Sequence, residues 1–392
     1  MYDYTIIGGG IVGLSVGMAI TEKYPHSKIL IIEKEEELAN HQTGNNSGVI
    51  HSGIYYEPGS FKARFAKQGS QSMVEFCEKH EIKYDICGKV IVATNDKERP
   101  LLDNLYDRGL QNGLDIKKLN REQLLEVEPH VNGVEAIFVS AAGIVNYKEV
   151  SKKFANIIET HDGNVRCGEE VKAIDERSDH VIVETDSGTY HSKFLINCAG
   201  LQSDRIAKMA GYQTDMMIVP FRGEYYKLKP EKNHLVRNLI YPVPNPEFPF
   251  LGVHFTRMIN GDIEAGPNAV LSFKREGYKK TDINFKDLAE VLSYPGFLKI
   301  ASKYMKVGIS EMVRSFSKRK FVESLQQLIP AVQRDDLVVA PAGVRAQALN
   351  RDGELVDDFQ IIQGKRSLHV CNAPSPAATA SIEIGKEIVS RL

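Results

Sequence analysis

The period of hydrophobic and polar positions changes several times along this chain, and the changes mark out its elements. Tyr2 to Ile7 and Lys28 to Ile32 are short, continuous apolar runs, the pattern of strands buried on both faces. Between them, Gly8-Gly9-Gly10-Ile11-Val12-Gly13 reads as a turn and Gly13 to Lys23 as a helix. From Lys62 to Lys79 apolar residues (Phe65, Ala66, Met73, Val74, Phe76) recur at helical spacing and predict an amphipathic helix. Lys89 to Thr94 and Ala136 to Val139 read as strands, and Lys97 to Asn112, Arg121 to Glu126 and Lys148 to Thr160 as helices. Val165 to Val171 leads into a hairpin that turns at Asp186-Ser187-Gly188. Lys193 to Cys198 is a further buried strand, running through Ala199-Gly200 into a helix that carries Ser203 and Asp204.

Residues 215 to 275 change character. Short β segments broken by Pro242, Pro244, Pro246 and Pro249 predict a separate, mostly antiparallel sheet. Residues 286 to 328 are helical in pattern, and the chain then returns to alternating strand and helix. Leu337 to Ala340 and Leu368 to Cys371 read as strands and Thr379 to Arg391 as the closing helix. The predicted class is α/β: a discontinuous, Rossmann-like nucleotide-binding domain (1–85, 140–214 and 328–392), with a substrate domain of antiparallel sheet plus helices (86–139 and 215–327) inserted into it.

Composition narrows the function classes. A chain of 392 residues exceeds one ordinary core, which favours two domains. A net charge of −2 gives no global basic field for nucleic acid. The five cysteines show no C-x-x-C pair, so neither a zinc site nor a disulfide framework is expected, and a reducing compartment suits them. No metal is expected. Residue 1 leads straight into the first strand, which leaves no room for a leader peptide, and no run of eighteen apolar residues exists to span a membrane. A cytoplasmic protein is the expectation.

The opening unit carries the most specific chemistry. Gly8, Gly10 and Gly13 form G-x-G-x-x-G between a strand and a helix: Gly8 for the tight turn, Gly10 for approach of backbone to a pyrophosphate, Gly13 for packing helix on strand. The helix N-terminus offers N–H groups to phosphates. Glu33, twenty residues after Gly13 at the end of the second strand, suits the hydroxyls of an adenosine ribose. The glycine-dotted run from Gln42 to Tyr56 is too irregular for a helix and too rich in small residues for a core strand. A long loop of this kind inside an ordered domain is usually functional.

Several further stretches carry a resemblance: Asn45–Tyr56 (NNSGVIHSGIYY), Cys87–Ala93 (CGKVIVA), Asn197–Asp204 (NCAGLQSD), Pro249–Thr256 (PFLGVHFT), Gly266–Tyr278 (GPNAVLSFKREGY), Pro341–Asn350 (PAGVRAQALN) and Leu368–Ser381 (LHVCNAPSPAATAS). With Gly8–Gly13 they span the chain, which resembles the glycine oxidase/D-amino-acid oxidase superfamily of FAD-dependent oxidoreductases and, within it, the L-2-hydroxyglutarate oxidase/dehydrogenase family. The resemblance implies oxidation of L-2-hydroxyglutarate to 2-oxoglutarate, with hydride passing from C2 to flavin N5 and electrons going on to oxygen or a membrane quinone. It implies FAD, expected to be non-covalent, contacted by Gly8, Gly10, Ile11, Val12 and Gly13, by Glu33 and Lys34, and by the loop residues Asn45, Ser47, Gly48, Val49, Ile50 and His51. Val171, the Ala199-Gly200 junction and Pro376, Ala377, Ala378 and Thr379 complete the expected cofactor contacts. Prolines before the last helix suit a helix start, whose N-terminus would stabilise reduced flavin; an ordinary capped terminal helix is the alternative.

Such an oxidation needs orientation, a base and charge matching from the protein. His51, in the loop, and His254, within Phe250–Thr256, are the candidate bases, since imidazole titrates nearest neutrality. His51 is placed nearer the flavin and His254 nearer the substrate; the choice of base stays open, and a core role for His254 is the plain alternative. In the superfamily an arginine after a strand such as Leu337–Ala340 clamps the substrate α-carboxylate, which assigns that part to Arg345. Its alternative is a surface pair with Asp352 or Glu354. A five-carbon diacid needs a second cation or donor cluster, for which Lys274, Tyr55 and Tyr241 are candidates together with Arg222, Arg257, Arg275 and Tyr225.

Between Gly296 and Lys320 seven basic residues face one acid, Glu311, with apolar residues interleaved, so this segment either lies on the inner face of the cell membrane near a quinone or covers the substrate domain as a solvated helix pair. Competing functions are an FAD-dependent amine oxidation of the glycine or sarcosine kind, a glycerol-phosphate dehydrogenase, or a nucleotide-binding or tRNA-modifying protein without this oxidation.

Overall fold

In the computed structural model, residues 1–245 and 251–392 are described; positions 246–250, which include Pro246, Pro249 and Phe250, lie outside the described residues, as do the side chains of 306 and 307. The nucleotide-binding unit is an eight-stranded sheet. Tyr2–Ile7 lies at its centre, parallel to Ile29–Ile32 on one side and to Thr189–Asn197 on the other. Asn164–Arg166 extends it beyond Ile29–Ile32, and Ser367–Asn372 pairs parallel with Thr189–Asn197. The hairpin at Asp186–Gly188 joins Val181–Thr185 to Thr189–Asn197. Helices Ile11–Lys23, Tyr147–Thr160 and Ser381–Ser390 share one core with this sheet, in which Leu14, Ile20, Ile31, Phe154, Ile158 and Ile388 are fully buried or nearly so. The helices cover one face of these strands, and Val171, Val181, Val183 and Ile206 pack with Ile7, Leu30, Ile32 and Leu195 on the other, so both faces are buried and the runs do not alternate.

The segment 215–275 does not form one sheet. Met216–Gly223 joins a three-stranded antiparallel sheet between Val270–Leu271 and Gly343–Asn350. Tyr226–Leu228, Leu239–Pro242, His254–Arg257 and Ile263–Gly266 belong instead to a second eight-stranded sheet. That sheet also takes in Lys89–Ala93, Ile116–Asn120 and Glu135–Val139, and its pairs are antiparallel except for Leu239–Pro242 against Lys89–Ala93, which is parallel. Leu337–Val339, expected to return to the nucleotide-binding domain, pairs with Tyr226–Leu228 and extends this second sheet. Periodicity identifies a strand but carries no information on which distant edge it joins, so these partners are not readable from the pattern. The helical segment resolves into Phe285–Ser293, Pro295–Lys303, Met305–Phe316 and Lys318–Gln326. Among the described residues no helix is long and apolar enough to cross a membrane.

Candidate active site

A cavity of about 910 Å³ runs from the glycine turn of the first sheet to the strands of the second. Its nucleotide end is built from backbone. Gly8 has φ of +112°, and a Cβ there would stand 2.5 Å from the carbonyl oxygen of Cys198, so only glycine brings the two strand ends together. A Cβ on Gly13 would overlap the carbonyl oxygen of Gly8, which locks helix against turn. Gly10 differs: a Cβ would meet only Thr43 Oγ1, at 3.4 Å, and the residue lines the cavity, so its missing side chain leaves room for a ligand against backbone. Glu33 is held by the Gly9 N–H, which donates to Oε2 at 2.7 Å, and by the Glu35 N–H, which donates to Oε1 at 2.9 Å. An open glycine cradle, a helix N-terminus and a fixed carboxylate together fit the pyrophosphate and ribose of an adenine dinucleotide.

Most residues expected around the cofactor line this cavity: Gly8 to Val12 apart from Gly9, Glu33, Lys34, Asn45, Ser47, Val49, His51, Val171, Ala199, Gly200 and the run 376–379. Three do not. Gly13 packs on the turn, Gly48 takes a left-handed conformation (φ +64°) behind the wall, and Ile50 is fully buried in the core. The terminal helix starts at Ser381 rather than Thr379, and Pro374 to Ala380 is a turn segment instead, with Ala380 N–H donating to Pro376 O. Thr379 serves as a strut: its hydroxyl accepts from the His51 N–H at 3.1 Å and pairs with the Tyr147 hydroxyl at 2.9 Å.

The other end of the cavity is built from side chains of distant origin. His51, Tyr55, Tyr225, Tyr241, His254 and Arg345 all line it. His254 begins the strand His254–Arg257, 5% exposed, with its ring stacked on Tyr241 at 3.9 Å between centroids. Its Nδ1 lies 2.9 Å from the carbonyl oxygen of Gly252. A carbonyl only accepts, so Nδ1 carries the hydrogen and Nε2 of the neutral ring keeps its lone pair. Burial, aided by the nearby charges of Lys89 and Arg345, pushes both His51 and His254 down to about 3, so both imidazoles are neutral at physiological pH. Among the described residues His51 Nδ1 and the Tyr55 hydroxyl are buried without a hydrogen-bond partner, the condition of groups that await a ligand. Burial also pushes the Tyr225 phenol up to about 12.

Arg345 follows the strand Leu337–Val339, as expected, and itself lies within the next strand, Gly343–Asn350, opposite Phe221. The acids of its surface alternative are engaged elsewhere: Asp352 with Lys299 at 2.9 Å and Glu354 with Asn350 at 3.0 Å. Lys274 does not join the group. It lines a smaller pocket with Glu35, His41 and Glu276, where Lys34 Nζ meets Glu276 at 2.5 Å and Glu35 at 3.2 Å, a charge-balanced corner. The other candidate cations are bound to acids: Arg222 to Glu224 at 3.1 Å, Arg257 to Asp85 at 3.1 Å, and Arg275 to Asp204 through both nitrogens. Sequence reasoning misses Lys62 and Tyr56, which line the cavity with the Lys62 ammonium 5.2 Å from the Tyr56 ring centre, and also Lys89. The signal for Lys89 is a lysine opening the otherwise apolar strand KVIVA.

A two-ended cavity of this kind, with a dinucleotide cradle at one end and neutral bases beside an arginine at the other, defines a dinucleotide-dependent oxidoreductase. The chain belongs to the FAD dependent oxidoreductase family, which matches residues 3–391. It is 53% identical over 386 residues to the L-2-hydroxyglutarate dehydrogenase of Indibacter alkaliphilus, covering 98% of this chain and 97% of that one. It is 46% identical to the L-2-hydroxyglutarate dehydrogenase of Escherichia coli K12, covering 100% and 93% of the two chains. Among solved structures, the L-α-glycerophosphate oxidase of Mycoplasma pneumoniae with FAD bound superposes with a TM-score of 0.80 at 21% identity, over 99% of this chain and 94% of that one. The glycine oxidase of Geobacillus kaustophilus gives 0.74 at 16%, over 99% and 94%. These two likenesses are of fold.

Proposed function

We propose that this chain oxidises L-2-hydroxyglutarate to 2-oxoglutarate. The observation that carries the reading is the meeting of His51, His254 and Arg345, more than 200 positions apart in sequence for the first two, in the cavity that the glycine cradle opens onto. Bound FAD, held without a covalent link, supplies the hydride acceptor for the C2 hydrogen of the substrate. Arg345 offers a planar fork that pairs with the α-carboxylate through two N–H groups and so fixes the orientation of C2. His254 is the base that takes the hydroxyl proton: its Nδ1–H is held by Gly252 O, and Nε2 is the free acceptor. His51, tied to Thr379 through its backbone N–H, stands nearer the cofactor cradle, and its unpartnered Nδ1 supports a polar contact with cofactor or substrate. Tyr55 and Tyr241 form the wall around the side chain of the acid. The test is turnover with a soluble dye acceptor: stoichiometric 2-oxoglutarate from the L-acid and none from the D-acid is expected, and equal use of both enantiomers overturns the assignment.

The electrons then pass to oxygen or to a membrane quinone, and the helix Met305–Phe316 with its neighbour supports a peripheral membrane contact. Leu298, Met305, Ile309 and Phe316 are 53%, 61%, 59% and 74% exposed, beside the exposed bases Lys299, Lys303, Arg319 and Lys320.

A further inference from the structure

The strand Lys89–Ala93 is buried throughout, and its first side chain is the anomaly of the molecule: Lys89 is 1% exposed. It stands in the second sheet beside Leu239–Pro242, with Lys89 opposite Leu239 and Tyr241 two residues further along the neighbouring strand. Its ammonium lies 5.0 Å from the ring centre of Tyr55 and 4.7 Å from that of Tyr241. Among the described residues no carboxylate forms an ion pair with it, whereas the buried Arg222 and Arg275 each have one. The two aromatic faces are its cation partners among the described residues, and they return less than an acid would.

A buried cation without a counter-ion costs stability, and a methionine of similar length would fill the same space without that cost. Ionisable groups perturbed by burial beside a cleft cluster at functional sites. Lys89 stands behind the wall rather than in it: Tyr55 and Tyr241 line the cavity and Lys89 does not. Its charge nevertheless acts inside, since it is among the causes that hold His51 and His254 neutral. Tyr55 lines the same cavity, and its buried hydroxyl has no hydrogen-bond partner among the described residues. The other positive charge acting on both histidines is Arg345, already assigned to the α-carboxylate.

We propose that Lys89 is the specificity-determining charge of this pocket, a buried cation that favours a substrate with a second carboxylate over one with a single carboxylate. It is a positioning residue. Its field, unscreened by water, reaches the distal carboxylate through Tyr55 and Tyr241, and the Tyr55 hydroxyl donates to that carboxylate directly. Two opposite unit charges about 8 Å apart at an effective dielectric constant of about 20 change binding on the order of thirtyfold, enough to set the preference. The groups that face Lys89 or share its field are Tyr55, Tyr241, Cys87, His51, His254 and Arg345; burial holds the Cys87 thiol at about 11, so it is no counter-ion at neutral pH.

This proposal rests on the reading of the substrate as a five-carbon diacid, and the experiment separates the two. The FAD-loaded enzyme is titrated at about pH 6.5, below the value of about 7 to which burial lowers Lys89, so that the cation is present. The ligands are glutarate and pentanoate, which have the same chain length and two or one carboxylates, read through the perturbation of the flavin spectrum. Turnover of L-2-hydroxyglutarate is measured in parallel. For Lys89→Met and Lys89→Gln the preference for glutarate over pentanoate should fall about tenfold or more, with pentanoate binding changed less than about threefold. KM for L-2-hydroxyglutarate should rise far more than kcat falls. Lys89→Arg should restore most of the preference, and Lys89→Met should melt no lower than the parent. An unchanged preference in both uncharged variants overturns the proposal, as does an equal loss for both ligands. Absence of L-2-hydroxyglutarate turnover in the parent overturns the substrate reading first and the proposal with it.

Discussion

The two ends of the cavity are made by opposite means. The nucleotide end is mostly backbone, contributed by a strand, a turn and a helix contiguous from Tyr2 to Lys23, and its chemistry resides in N–H groups and in the room left by missing Cβ atoms. The substrate end is mostly side chains, contributed by the loop after Val49–Ile50, the strands Leu239–Pro242 and His254–Arg257 of one sheet, and Gly343–Asn350 of another. Its chemistry resides in charge and protonation state set by burial. The first end tolerates no added atom at a few points; the second end is sensitive to lost charge. A mutation at one end should therefore spare the function of the other.

The largest effect is expected from Arg345→Ala, which removes the half-buried partner of the substrate carboxylate and should lower kcat/KM for L-2-hydroxyglutarate by about 2–5 kcal/mol of transition-state stabilisation. FAD content, read from the flavin absorbance per protein, should stay at the parent level, and loss of FAD would break the separation. Gly8→Ala is the converse. Its φ of +112° and the 2.5 Å approach to Cys198 O should cost about 1–3 kcal/mol. FAD content and melting temperature should drop, with KM for the acid unchanged in the fraction that retains flavin.

What is legible in the sequence divides along the same line. Gly8, Gly10, Gly13 and Glu33 are legible because one continuous unit fixes their relative positions, so spacing in sequence is spacing in space. Arg345 and His254 are legible only as residues of resembling stretches: nothing in their local pattern says that two different sheets bring them together. Lys274 is misplaced for the same reason, since a lysine close to the pocket along the chain looks like one inside it. Lys89 escapes notice because a strand pattern registers a lysine at its first position as an edge residue, whereas the sheet continues on both sides of it. The terminal helix is expected two residues early because prolines that suit a helix start here form a separate turn.

Smaller effects concern pH. The imidazoles of His51 and His254 take a proton near 3 when folded and near 6.5 when unfolded, so the unfolded chain binds more protons between those values. Stability should fall as pH drops from about 6.5 toward 3, while kcat/KM shows no acid limb near 6.5 because both bases are already neutral in the free enzyme. Burial lowers Lys89 to about 7 from 10.5, so between those values the unfolded chain again binds more protons and stability should rise with pH. Melting curves of the parent and Lys89→Met across pH 7 to 10 should converge at the alkaline end. The smallest effect lies outside the cavity. Ile309→Glu with Phe316→Glu should abolish sedimentation with anionic vesicles and leave turnover with a soluble dye at the parent rate; no sedimentation of the parent ends the membrane reading.

The most direct test of the central claim, that one cavity holds FAD at one end and an L-2-hydroxy diacid at the other, is anaerobic reduction of the yellow holoenzyme. L-2-hydroxyglutarate should bleach the flavin completely with one equivalent of 2-oxoglutarate formed. No bleaching by that acid, with bleaching by glycine, sarcosine or glycerol 3-phosphate instead, would contradict it.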